Sequence, residues 1–376
     1  MLRNSRVPGR WLIFLLVLVR LPFSLRRCRP AAVRHVLVLH HLLLGDTLML
    51  TSLLAKLAEQ YPDAQLQMAA PKASAPLYIG HPYRIDAIAF DPRDVRTIFT
   101  LLRQPRPDVV LLPADNRHSW LARALGARWI VGFAGDHPAW KNWFVDELRP
   151  FPATPVAWPD IVATLIDGPP PAAHVTDRWP APPHMPFTPP ARPYCVLHVG
   201  ASTPLKRWEP DKWRTLAAAL TARGLTVTWS AGRGEETIVT ACDPDRVHRS
   251  FAGALDLPQL WHLLANAALL IAPDTGVAHL GRLVGVPTVT LFGPGSATLY
   301  GGGDFWRNAH YRAVTTDPFP CRDQTRLFGR DLPWVSRCAR STAECPAPRC
   351  MQAIDTAMVE AAVDELLHRP AQPAVP

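Results

Sequence analysis

Within Asp274-Thr275-Gly276-Val277-Ala278-His279, a carboxylate, a hydroxyl, a glycine and an imidazole follow closely on the apolar run Ala268-Leu269-Leu270-Ile271-Ala272. At a strand-to-helix turn, Gly276 lets backbone approach a ligand, and the exposed N–H groups at the positive end of the next helix favour a phosphate. Thr275 adds a hydroxyl donor. His279, one turn into the helix, can face the same ligand. The plainer reading is that Asp274 or Thr275 only caps the helix.

Three other turns carry comparable chemistry. Ser202-Thr203-Pro204-Leu205-Lys206-Arg207-Trp208 follows the run Cys195-Val196-Leu197-His198. Its hydroxyls and Lys206 can neutralise a diphosphate whose charge rises as the bond to a transferred group breaks; a solvated basic loop is the alternative. Ser230-Ala231-Gly232-Arg233-Gly234-Glu235-Glu236 places a carboxylate beyond Thr226-Val227-Thr228-Trp229, where it can accept bonds from ribose hydroxyls. The GxGxxG fingerprint is not matched, since only Gly232 and Gly234 are correctly placed, which disfavours a nicotinamide dehydrogenase. Leu44-Gly45-Asp46 follows Val36-Leu37-Val38-Leu39. There Asp46 can remove a proton from an attacking hydroxyl or cap a helix.

Ligands of an open parallel sheet bind beyond the carboxyl ends of its strands, so these turns need alternating strands and helices to position them. The pattern supplies them twice. In the first half, strands are expected at 36–39, 66–69, 87–90, 109–112 and 129–131, with a helix over 47–60. In the second, strands at 195–198, 226–229, 268–272 and 288–292 alternate with helices at 211–222, 258–266 and from Val277. Between them, 148–193 is rich in proline around a helix at 161–166 and reads as an interdomain connection. Ile354, Met358, Val359, Val363, Leu366 and Leu367 share one face of a terminal helix. The predicted organisation is a segment at 1–30, an α/β domain at 31–175, a second at 176–352, and a helical tail at 353–376.

The chain has 376 residues, 48% of them hydrophobic, enough to bury two cores. Its formal charge of +9 is concentrated at one end, because residues 1–45 hold arginines 3, 6, 10, 20, 26, 27, 29 and 34 and no acidic residue. The remainder is close to neutral, which disfavours a nucleic-acid partner. Among those arginines lies the apolar run 11–19, broken by Arg20 and Pro22 and resuming at Phe23-Ser24-Leu25. No small-x-small cleavage site follows, and the run is too short to span a bilayer cleanly. Residues 11–25 therefore read as an interfacial helix held by apolar burial and by arginines near anionic lipid, or as a helix packed on the protein itself. The seven cysteines, with Cys321, Cys338, Cys345 and Cys350 clustered late in the chain, match no familiar zinc spacing and read as reduced thiols.

Together these segments resemble glycosyltransferase family 9, the bacterial heptosyltransferases of lipopolysaccharide core assembly, from about Val36 to Leu367. The markers are Leu44-Gly45-Asp46, Lys206-Arg207-Trp208, Phe251-Ala252-Gly253, Asp274-Thr275-Gly276 with His279, Phe292-Gly293-Pro294 and Cys350-Met351. Gly281-Arg282 departs from the small alanines that many members carry after the histidine, and His40-His41 precedes the Gly-Asp turn. The resemblance implies a GT-B fold of two Rossmann-like domains facing across a cleft, with acceptor on the first and donor on the second. It implies inverting transfer without a catalytic metal or other cofactor. Asp46 would be the general base, with Lys206 and the backbone around Thr275 and Gly276 stabilising the departing nucleoside diphosphate. Ser202 and Thr203 would add phosphate-binding hydroxyls, with Asp274 and His279 beside them, and Glu235 or its neighbour Glu236 would hold ribose.

The expected reaction is transfer of heptose from ADP-heptose to a lipid-linked lipopolysaccharide core acceptor at the cytoplasmic face of the inner membrane. Alternatives are another nucleotide-sugar or glycan acceptor, an epimerase of the same fold, and a catalytically silent nucleotide-sugar-binding scaffold.

Overall fold

A computed structural model describes residues 5–20 and 27–368. The expected apolar continuation at Phe23-Ser24-Leu25, together with Arg3, Arg26 and the tail beyond His368, lies outside them. Packing divides the chain into two units. One runs to Ala172 and adds Arg178–Pro180 and Arg326–Trp334; the other takes Ala173–Asp177, Ala181–Thr325 and the chain from Val335.

The first unit is built on β1 (His35–Leu39), β2 (Gln65–Ala70), β3 (Ile85–Ala89), β4 (Val109–Leu112), β5 (Trp129–Phe133) and β6 (Glu147–Arg149). They form one parallel sheet in the order β3-β2-β1-β4-β5-β6. Central strands such as β1 and β4 are buried along their whole length, which is why they read as unbroken apolar runs. The second unit repeats the scheme with β7 (Tyr194–His198), β8 (Thr226–Ser230), β9 (Arg249–Ser250), β10 (Leu269–Pro273), β11 (Thr288–Phe292) and β12 (Tyr311–Thr315). Its order is β12-β11-β10-β7-β8-β9. Numbered from its own first strand, this is the same 3-2-1-4-5-6 connectivity, the Rossmann arrangement.

Helices cover both sheets: α1 (Val7–Arg20), α2 (Leu44–Met49), α3 (Thr51–Gln60), α4 (Val95–Leu102), α5 (Ser119–Ala124) and α6 (Trp158–Ala163) belong to the first unit. The second carries α7 (Pro210–Ala222), α8 (Glu236–Cys242), α9 (Leu257–Ala265), α10 (Gly276–Val284), α11 (Ala297–Tyr300), α12 (Arg349–Gln352) and α13 (Thr356–Leu367). α13 opens on Asp355, whose carboxylate accepts the Met358 N–H at 2.8 Å. It buries Val359, Val363 and Leu366 in the second unit's core beside Leu216, Leu220 and Val314.

Four local expectations change. The helix expected over 47–60 starts earlier, at Leu44, and breaks at Leu50, where the Thr51 hydroxyl donates to the Leu48 carbonyl. Much of the proline-rich stretch is not a linker: β6 and α6 belong to the first unit, and Lys56 Nζ pins the chain after α6 by donating to the carbonyls of Ala163, Ile166 and Gly168 at 2.9–3.0 Å. A short hairpin, β13 (Arg326–Leu327) with β14 (Arg330–Asp331), returns to the first unit. There the buried Arg330 guanidinium donates to the carbonyls of Ala114, Phe133 and Ala134, just beyond β4 and at the end of β5.

The fourth concerns α1, which packs one face on the first unit and leaves apolar side chains of the other face exposed. Val17 enters the first unit's core, with Leu12, Ile13 and Leu16 packed against it. Trp11, Leu15, Leu18 and Val19 remain exposed. Among the described residues no helix is long and apolar enough to cross a membrane.

Candidate functional site

In a 3-2-1-4-5-6 sheet the strand order reverses between the first and fourth strands, and the crevice beyond their carboxyl ends receives ligands. In the second unit these strands are β7 and β10. The loop after β7 runs through Ser202, which is exposed, to Thr203, whose hydroxyl accepts the Leu205 N–H at 3.4 Å and starts the turn Pro204–Lys206. Lys206 Nζ then crosses to the loop after β10, donating to the Asp274 carbonyl and to its Oδ2, both at 2.8 Å. Asp274 is buried whereas Lys206 is a quarter exposed. Asp274 fits so close to the next turn because Gly295 has no side chain; a Cβ there would collide with Oδ2.

Neither Asp274 nor Thr275 acts as the simple helix cap that the sequence allowed. Asp274 is engaged by Lys206, and Thr275, in the N-cap position with extended backbone (φ −140°, ψ 170°), makes no capping bond with its side chain. Its Oγ1 is buried without a hydrogen-bond partner. The first turn of α10 from Gly276 therefore offers backbone N–H groups that no side chain satisfies, next to an unused hydroxyl.

His279 lies one turn in, with Nε2 3.9 Å from Asp274 Oδ1, too long for a hydrogen bond. Its Nδ1 accepts from the buried Arg282, which also donates to the carbonyls of Tyr300 and Gly301 and lies 4.6 Å from the centre of the Tyr311 ring. Burial, then the charges of Arg282 and Lys206, hold the imidazole well below its ordinary pKa, so it is neutral. An acceptor at Nδ1 leaves the proton on Nε2, which makes His279 a neutral donor. Arg282, a departure from the family pattern in sequence, thus fixes the tautomer of the site histidine. The i, i+3 spacing of His279 and Arg282 was a signal available in the sequence.

Glu235 joins the loops after β7 and β8. Its Oε1 accepts the Ala201 N–H at 3.0 Å and its Oε2 the Gly232 N–H at 2.8 Å. Gly200 makes this possible, since a Cβ there would strike Oε2. Glu236 instead accepts the N–H of Gly234 at 3.0 Å and is exposed. Both carboxylates therefore brace loops, and Glu235 is the one tied to the loop after β7. Ser202, Thr203, Lys206, Glu235, Asp274, Thr275, Gly276 and His279 all belong to the second unit.

Asp46 belongs to the first unit. It is the third residue of α2, partly buried, and is not the N-cap, which is Leu43. Beyond β1 and β4 this unit places His40 and His41, then Asp115, Asn116, Arg117 and His118. Burial pushes His40 down to about 3 and His118 down to about 4, so both are neutral near pH 7. Sequence reasoning gave Arg117 and His118 no role.

Among the described residues, no group of three or more His, Cys, Asp or Glu side chains is arranged to hold a metal ion. All seven cysteines are free thiols.

Two Rossmann-like units of equal connectivity, the second with an anion-receptive edge, define an α/β protein of the GT-B class. The E. coli heptosyltransferase WaaC with ADP has the same fold at a TM-score of 0.65 and 15% identity, over 88% of this chain and 99% of that one. Residues 95–329 match glycosyltransferase family 9 (heptosyltransferase). The chain is 24% identical to lipopolysaccharide heptosyltransferase 3 of Escherichia coli over 77% of its own length and 93% of the relative's. It is 34% identical to lipopolysaccharide heptosyltransferase 1 of Pseudomonas aeruginosa over a shorter stretch, 28% of this chain and 30% of that relative. This chain belongs to glycosyltransferase family 9.

Proposed function

We propose that this protein transfers heptose, with inversion, from ADP-heptose to a lipopolysaccharide core acceptor at the cytoplasmic face of the inner membrane. The observation that carries the reading is the constellation of Lys206, Asp274, Thr275 and His279 at the start of α10. The names of the relatives supply the sugar and the acceptor class, and the ADP in the WaaC structure supplies the nucleotide.

In this reading the first unit takes the acceptor and the second the donor. Asp46 accepts the proton of the acceptor hydroxyl as its oxygen bonds to the anomeric carbon. The bond from that carbon to the diphosphate oxygen breaks, and its electron pair leaves with ADP. Two of the three Lys206 N–H donors are used by Asp274, so one remains for a phosphate oxygen. The N–H groups of α10, the Thr275 hydroxyl and His279 Nε2–H complete a preorganised set of donors for the developing charge. Ser202 and Thr203 flank it, and Glu235 holds the ribose with the lone pairs its backbone bonds leave over. The exposed face of α1 meets the membrane surface.

Incubation with ADP-heptose and truncated lipopolysaccharide should release ADP in step with heptosylated product. Turnover of a different nucleotide-sugar with no release from ADP-heptose would overturn the heptose assignment. Conversion of donor without acceptor would indicate an epimerase.

A further inference from the structure

A cavity of about 710 Å³ lies beneath the N-terminal half of α1, wholly within the first unit. That volume falls in the range of about 300–1,000 Å³ typical of pockets for drug-sized ligands. Its floor comes from the carboxyl edge of the sheet, with Phe90 and Pro92 beyond β3 and His118 beyond β4. Ile98 of α4 and Leu121 of α5 form further wall, and Ile13 and Phe14 of α1 close it from above. The packing of α1 there is close, since a Cβ on Gly9 would press on Ile98 Cδ1 at 2.7 Å.

The formally charged side chains that line this apolar space are all of one sign, while beside it Asp91 faces His41 at 3.9 Å. Arg6, Arg10 and Arg117 line it and no carboxylate does. Asp115 is already engaged by Arg117, whose Nε lies 2.6 Å from both carboxylate oxygens. Arg6 and Arg10 are exposed. Trp11 and Phe14 line the cavity and are also 63% and 41% exposed, so the cavity opens onto the apolar face that continues through Leu15 and Leu18. An apolar interior, a cationic rim and an apolar outer surface in continuity match one amphiphile, a phosphate-bearing lipid of the bilayer.

We propose that this cavity holds an acyl chain of an anionic phospholipid, with the lipid phosphate on Arg6 and Arg10, so that α1 docks on the membrane by taking a lipid into the fold. Its surface-contact part rests on the membrane reading above; the cavity itself is tested apart from transfer activity. The full chain is titrated with dioctanoyl phosphatidylglycerol below its micelle concentration, by calorimetry, with dioctanoyl phosphatidylcholine in parallel. Saturable one-to-one binding is expected, about tenfold or more tighter for the anionic lipid. Ile13→Trp, which fills the cavity from α1, should weaken binding by about tenfold or more. Arg6→Glu/Arg10→Glu, at exposed positions that leave the core intact, should remove the preference for phosphatidylglycerol.

Absence of saturable binding would overturn the proposal. Equal affinity for the two lipids would overturn the arginine rim. Unchanged binding by Ile13→Trp, with a native circular dichroism spectrum, would place the lipid elsewhere; should that variant fail to fold, the arginine pair decides. Because no sugar is transferred, a negative result leaves the heptosyltransferase reading standing, and a positive one does not depend on it.

Discussion

The two sheets share one connectivity and differ at their carboxyl edges. At the second, opposite charges meet: Lys206 crosses from one loop to Asp274 on the other, and the open start of α10 with the unpartnered Thr275 hydroxyl waits beside them. At the first, Arg117 pairs with Asp115 and Lys141 with Asp136, the buried Arg330 donates to backbone carbonyls, and an apolar cavity is rimmed by arginines. The sheet fixes where a ligand binds, and the loops decide its chemistry. A site built for a compact polyanion preorganises donors around a small volume. A site for an amphiphile offers apolar wall and keeps its charge at the rim.

The sharpest break of this comparison comes from the one acid assigned to chemistry in the first unit. Asp46→Asn should lower transfer by about 10²–10⁴-fold, the usual worth of a positioned general base. ADP binding, followed by thermal shift, should be unchanged, because the nucleotide is assigned to the other unit. Wild-type turnover in Asp46→Asn would remove Asp46 as base, and a loss of ADP binding would undo the division of labour between the units.

Next in size is Lys206→Ala. Removing one preorganised donor from a developing oxyanion costs about 10²–10³-fold in rate. It also leaves Asp274, buried in the second unit, without its ammonium partner, so the melting temperature should fall as well. Asp274→Asn separates the two effects: it relieves the unpaired charge but loses the anchor of Lys206, and should slow transfer while melting close to wild type. If Lys206→Ala kept its full rate, the diphosphate would have to sit elsewhere.

How far the sequence disclosed each edge follows from the distance over which its features are determined. β1 and β10 were legible because strands buried on both faces must be apolar throughout. β6 and β9 were not: Glu147–Arg149 and Arg249–Ser250 are short, charged strands at the sheet edges, where hydrogen-bond pairing and not apolar content defines a strand. The break at Leu50 is accompanied by a side-chain hydrogen bond from Thr51 to Leu48, and the return of Arg330 to β4 and β5 spans some two hundred residues. The second unit's site was legible as separate turns because each turn has its own local chemistry. The Lys206–Asp274 pair bridges 68 residues and the cavity under α1 is drawn from five separate segments, so neither could be read locally.

Thr275→Val is the finest test of the contrast between the edges. In the fold the Thr275 hydroxyl is buried and has no partner, so replacing it with a methyl of the same shape removes an unsatisfied group and should leave the melting temperature unchanged or slightly higher. Its cost should appear only with ligand present. A hydroxyl donating to a phosphate oxygen is worth about 1.5–3 kcal/mol, so affinity for ADP should fall by about 10- to 150-fold, with lipid binding at the first unit unaffected. A stable variant with undiminished ADP affinity would show that this hydroxyl is idle and that the N–H groups of α10 act alone. A clear loss of stability would mean that the hydroxyl serves the fold, and the second edge would then be less committed to its ligand than its open helix start implies.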